Sequence, residues 1–155
     1  MQKILFVCLG NICRSPVAEG IMLHLIEEHK LHHKIQVDSA GTAGYHIGEA
    51  PDRRTIQNAK KNGVDLSQLR ARKFSASDFD SFDRIYVMDK SNFADVNRIT
   101  KDKNHHGKID YLLNLTHKGD NQAVPDPYYG GEADFEKVFQ LVYKACYKIV
   151  EPHIK

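Results

Sequence analysis

The sequence predicts a doubly wound α/β fold, a four-stranded parallel sheet with helices on both faces. Short apolar runs alternate with helically spaced ones along the chain, which is the pattern of a parallel sheet covered on both sides. The 155 residues fit one domain, 1–155, and an apolar content of 41% is ample for a single core without disulfides or metal.

Lys3 to Val7 is the first β-rich run. From Pro16 onward Ala18, Ile21, Met22 and Leu25 recur at helical spacing, so the chain opens as strand, loop, helix. Ile35-Gln36-Val37 reads as a second strand ending at Asp38-Ser39-Ala40-Gly41, and a polar helix from about Pro51 to Lys61 is stopped by Asn62-Gly63. Arg84 to Met88 is the third strand. A helix begins near Ser91, and the apolar run Ile109 to Leu115 extends the alternation. Val124-Pro125-Asp126-Pro127-Tyr128-Tyr129-Gly130-Gly131 is too rich in proline and glycine for regular structure and reads as a stiff, exposed loop carrying an acid. The last helix, Ala133 to about Val150, sets Phe135, Val138, Phe139, Val142, Ala145, Cys146 and Ile149 on one stripe, which places Cys146 in the core.

Composition narrows the class. Three cysteines do not make a secreted disulfide framework, and the run Ile4 to Val7 is too short for a signal-peptide core, so a cytoplasmic, reducing location is expected. A formal charge of +2 with interspersed signs leaves no broad basic face for nucleic acid, and no segment approaches the roughly 20 apolar residues that span a bilayer. Neither nucleic acid nor membrane is an expected partner. His29, His32 and His33 cluster and His105-His106 pair without carboxylate or thiol partners at fixed spacing, so they read as solvated surface; no metal or other cofactor is expected. Arg53-Arg54, Lys60-Lys61 and the basic run Arg70, Arg72, Lys73 read equally as a solvated face or as steering charges for an anionic substrate.

Chemistry concentrates at the first strand-to-helix junction, "VCLGNICRSP", Val7 to Pro16. Ligands of doubly wound sheets collect at the carboxyl ends of strands, where a helix N-terminus points free N–H groups at an anion. The nucleotide patterns G-x-x-x-x-G-K-[ST] and G-x-G-x-x-G are absent, so a small oxyanion fits better than a nucleotide. Arg14 offers a planar fork for two phosphate oxygens. Cys8 then lies beneath the phosphorus, and a thiol ringed by backbone donors, a helix N-terminus and an arginine is set up to ionise. Ser15 can hydrogen-bond that thiolate, while Gly10 and Asn11 tolerate the left-handed backbone of a loop whose amides turn inward.

"VCLGNICRSP" together with "DPYYGG" far downstream, "DSAGT" after the second strand and "VMD" at the third closely resembles the low-molecular-weight protein tyrosine phosphatases, nearly end to end. The resemblance implies hydrolysis of phosphotyrosine and other aryl phosphate monoesters through a cysteinyl-phosphate intermediate, with a phosphoprotein as substrate and inorganic phosphate as product. Cys8 would be the nucleophile, Arg14 the phosphate clamp and Asp126 the general acid. The loop Leu9, Gly10, Asn11, Ile12, Cys13, Arg14 and Ser15 would bind the phosphate. Asn11, Ser15 and Ser39 would form the support network, and Tyr45, Tyr128 and Tyr129, with Ile12, would wall the substrate ring. It also supports a reversible redox switch in which an accessible, oxidised Cys8 pairs with Cys13.

One position departs from the pattern. Many members carry a histidine that hydrogen-bonds the loop asparagine, and here "DLSQLRAR" places Leu69 at that site, which predicts a slacker Asn11 and tighter phosphate binding in Leu69→His. Three rivals share parts of the pattern. A thioredoxin-coupled arsenate reductase needs further cysteines near the third strand, and Lys73 to Lys90 contains none. A phosphoryl-carrier protein needs neither Asp126 nor a tyrosine wall. A protein arginine phosphatase of the same family tends to place threonine at the position of Ile12, whose apolar side chain favours an aryl phosphate.

Overall fold

The computed structural model describes residues 1–154. Four strands, β1 (Gln2–Cys8), β2 (Ile35–Gly41), β3 (Arg84–Val87) and β4 (Ile109–Tyr111), form one sheet in the order β2-β1-β3-β4. All neighbours run parallel: Gln2 to Cys8 lie opposite Ile35 to Gly41, Ile4 to Val7 opposite Arg84 to Val87, and Ile85 to Val87 opposite Ile109 to Tyr111. The chain leaves β1 to one side for β2 and to the other for β3, so the order reverses at the carboxyl end of β1. Cys8 is the residue at that end.

The period-two pleat of β1 divides the core. Ile4, Phe6 and Cys8 face α1 (Arg14–Glu28), α2 (Arg53–Lys61) and α6 (Glu132–Val150), meeting Ile21, Met22, Leu25, Val138, Val142 and Cys146. Leu5 and Val7 face the other layer, where Phe79 of α3 (Asp78–Ser81) and Val96 of α4 (Lys90–Ile99) close over Ile85, Val87 and Ile109. Helices therefore cover both faces, as the alternation of patterns predicts. The α6 stripe is buried throughout, with Cys146 fully enclosed.

Two local readings need correction, and two short helices are added. Ile109 to Leu115 is not one strand: it pairs only to Tyr111, and Leu112–Leu115 coil into a 3-10 turn that keeps Leu112 and Leu113 buried. A short apolar run cannot distinguish a buried strand from a buried helical turn by periodicity; here Asn114 donates to Asp110 at 2.7 Å and tightens the turn. The short helices α3 and α5 (Lys103–His106) are too brief and polar to leave a periodic signal. The His105-His106 pair is not simply solvated: the His105 ring stacks on Phe79 with centroids 4.9 Å apart, and His106 Nε2 lies 2.8 Å from the Thr100 carbonyl. His32 and His33 are exposed, as expected.

Candidate active site

The loop from Leu9 to Cys13 runs from the end of β1 into α1, and its carbonyls are turned outward. Those of Cys8, Leu9 and Ile12 accept from the amides of Thr42, Ala43 and Asp52 at 2.9, 3.0 and 2.8 Å. Asn11 takes the left-handed conformation, φ 56°, which asparagine tolerates and which turns the chain back over its own amides. The N-cap of α1 is Cys13, with no side-chain cap, so the first turn offers its N–H groups to an anion. Gly41 at the end of β2 is required by this crossing: a Cβ there would stand 2.8 Å from the Leu9 carbonyl. That contact is the physical content of "DSAGT".

A pocket of about 240 Å³ opens over the loop. Cys8, Leu9, Gly10, Ile12, Cys13 and Arg14 form its floor, and Tyr45, Asp126, Tyr128 and Tyr129 its walls, so these sequence candidates come together. Asn11, Ser15 and Ser39 stand behind it, all buried. Cys8 Sγ lies 3.0 Å from Ser15 Oγ; the Asn11 amide donates to Ser15 Oγ at 2.8 Å and to Ser39 Oγ at 2.9 Å. Ser15 accepts from Asn11, which leaves its own proton for the sulfur or for the Ala40 carbonyl at 3.5 Å.

Arg14 is almost fully buried, and one guanidinium nitrogen is already engaged: it donates to Asp89 at 2.7 Å and to the Val124 carbonyl at 3.0 Å. Burial works against its charge, and Cys8 and Asp89 more than offset that, holding it cationic. Its second terminal nitrogen lies 3.7 Å from Asp126, on the pocket side. The guanidinium is thus aimed in advance, its direction set by Asp89. Asp89 also N-caps α4, accepting from Asn92 N at 2.8 Å, and a cap is all that a sequence reading would make of it.

The hold on Asn11 is firmer than the missing histidine suggests. Its side-chain oxygen accepts from the Arg72 amide at 3.0 Å, so with both serines its three polar contacts are all made. Leu69 is half-buried and packs against the core. Leu69→His is therefore expected to leave phosphate affinity unchanged and to lower stability by about 1 kcal/mol, since the ring gains a desolvation cost and no vacant partner. Melting curves and phosphate inhibition decide it: several-fold tighter phosphate with an unchanged Tm would restore the expectation drawn from the resemblance.

Behind Ser39 stands Glu19, a residue the sequence did not single out because one glutamate on a helix carries no signal. Its carboxylate accepts from Ser39 Oγ at 2.5 Å. Burial pushes this carboxyl up from 4.5 to about 7; the Ser39 hydrogen bond and Arg72 oppose the rise and Asp38 adds to it. Between those values the folded chain holds a proton that the unfolded chain has released, so the stability this group contributes is full below 4.5 and falls as pH rises through 7. Glu19→Gln keeps an acceptor for Ser39 and removes the titration. Relative to wild type it should gain about 1–3 kcal/mol at pH 8 over pH 5, read from urea midpoints. An unchanged difference between the two pH values would remove Glu19 from the account.

The Cys8 and Cys13 thiols are both free and, although largely buried in the fold, both line the pocket. Burial pushes Cys13 up to about 12, so Cys13 is a poor first target for an oxidant. His46 also lines the pocket, its Nδ1 3.0 Å from Glu49, and was not foreseen. No group of three or more metal-ligating side chains converges among the described residues. None of their helices is long and apolar enough to cross a membrane.

Residues 3–154 match the sequence profile of the family described as low molecular weight phosphotyrosine protein phosphatase. The low molecular weight phosphotyrosine protein phosphatase of Homo sapiens is 40% identical over 151 residues, 97% of this chain and 94% of that protein. A protein tyrosine phosphatase from Entamoeba histolytica superposes with a TM-score of 0.90 at 37% identity, covering 99% of this chain and 97% of that one. A drosophila arginine phosphatase superposes with a TM-score of 0.88 at 30% identity, covering 100% of this chain and 99% of that one.

Proposed function

The chain belongs to the low molecular weight phosphotyrosine protein phosphatase family, and from that premise we propose how its single phosphatase domain, 1–155, divides the work among its residues. It is a protein tyrosine phosphatase that hydrolyses aryl phosphate monoesters through a cysteinyl-phosphate intermediate. Cys8 is the nucleophile. Its thiolate attacks phosphorus while Arg14 and the loop amides bind the equatorial oxygens, and Asp126, across the pocket, protonates the departing tyrosine oxygen. The same carboxylate then takes a proton from the water that attacks the phosphocysteine, Ser15 steadies the sulfur as it leaves, and inorganic phosphate is released. Arg14 contributes most in the transition state, because Asp89 has fixed it before substrate arrives.

The observation that carries these roles is the convergence of Cys8, Arg14 and Asp126, from two distant segments, on one pocket. Tyr45, Tyr128 and Tyr129 supply its apolar wall, and Ile12, within the loop, presents no hydroxyl to polarise a phosphoguanidinium. The substrate is thus a phosphotyrosine-containing protein rather than a phosphoarginine one, without a role for nucleic acid or membrane. The three reduced thiols suit the cytoplasm. Any Cys8–Cys13 disulfide starts by oxidation at Cys8, with Cys13 resolving it. The test is turnover of phosphotyrosine and phosphoarginine peptides in chelator. Phosphotyrosine should be hydrolysed at an undiminished rate and phosphoarginine at least tenfold more slowly; the reverse order would reassign the substrate.

A further inference from the structure

Asp126 is held by its neighbours, not by burial: its side chain is 46% exposed. Two residues before it, Val124 is fully buried and pinned twice, its amide donating to the Met88 carbonyl at 2.7 Å and its carbonyl accepting from Arg14 at 3.0 Å. Two residues after it, the Tyr128 amide donates to the Asp126 carboxylate at 3.1 Å, and the Tyr128 carbonyl accepts from Arg54 at 2.8 Å. The Arg54 guanidinium reaches Asp52 with two further bonds of 3.1 and 3.0 Å and lies over the rings of Tyr128 and Phe135, 5.5 and 4.7 Å from their centroids. Asp52 in turn caps α2 and donates its own amide to the Ile12 carbonyl of the phosphate loop at 2.8 Å.

We infer that Arg54 is a positioning residue for the general acid, fastening the Asp126 loop to the phosphate loop through Asp52 so that the carboxyl stands at the leaving-group oxygen. The inference rests on the reading of Asp126 as that acid. A planar fork suits the task because it binds the Asp52 carboxylate with two parallel bonds and still reaches a carbonyl. The side chain is 45% exposed, so its ion pair adds little to folding stability. Its effect falls on geometry, where a displacement of about 1 Å can cost 10²-fold in rate.

Arg54→Ala should lower kcat for phenyl phosphate about ten- to a hundredfold, and for a nitrophenyl ester, whose leaving group needs little proton assistance, by less than about threefold. In an Asp126→Ala background the same substitution should add less than about twofold. Arg54→Lys keeps the charge but loses the fork, and should show the same leaving-group-dependent loss; it also supplies the measurement if the alanine variant fails to fold. Equal losses on both substrates, a loss that persists without Asp126, or full activity in Arg54→Lys would each overturn the inference. The last would make Arg54 a steering charge. A loss in Asp126→Ala alone that ignores the leaving group would instead overturn the acid assignment on which it rests.

Discussion

Cys8→Ser is expected to give a folded protein that binds phosphate and turns over nothing. The serine hydroxyl occupies the end of β1 and can still meet Ser15, 3.0 Å from the sulfur it replaces, so the loop keeps its shape. Arg14 stays clamped between Asp89 and the Val124 carbonyl. What disappears is an anion able to attack: a serine hydroxyl ionises far too poorly at neutral pH, and no base stands beside it, since Ser15 and Asn11 are already committed. Turnover should fall by roughly 10⁴-fold or more. Phosphate should still bind, because the loop amides and Arg14 that hold it are unchanged. Steady-state turnover and phosphate titration measure both; activity near the wild-type rate would displace Cys8 as the nucleophile.

The next largest effect belongs to Asp126→Ala. Loss of a general acid costs roughly 10²–10⁴ in kcat, and the cost tracks how badly the leaving oxygen needs its proton. Phenyl phosphate should therefore suffer far more than a nitrophenyl ester. Equal losses on the two esters would argue that another group delivers the proton.

Much of this is legible in the sequence, and the physical reason is local. Periodicity records which face of an element is buried, so the first three strands and the four longer helices can be read directly, and the nucleophile, clamp and turn residues share one ten-residue stretch. What escapes is whatever depends on side chains meeting across the fold. Asp89 looks like a helix cap, and its bond to Arg14 exists only because β1 and β3 are neighbours. The Arg72 amide holds Asn11, and a backbone donor leaves no trace in a sequence. The slackness expected from Leu69 fails for that reason. Arg54 sits in a run of charges that reads as a solvated face, yet its fork points along the surface to Tyr128.

The contacts that brace the site also span great lengths of chain. Arg14 closes on Asp89 and Val124 across 75 and 110 residues, and Asn11 on the Arg72 amide across 61. A nascent chain that has emerged only through its first strand and helix already holds the thiol, the arginine and the whole loop, and none of the partners that aim them. Closing such long loops is entropically unfavourable, and the enclosing contacts form only when most of the sheet has assembled. Chemical competence thus arrives last in biosynthesis, which keeps a reactive sulfur from being presented in working order on an unfinished protein. Recovery of turnover during refolding is accordingly a clock for the completion of tertiary structure.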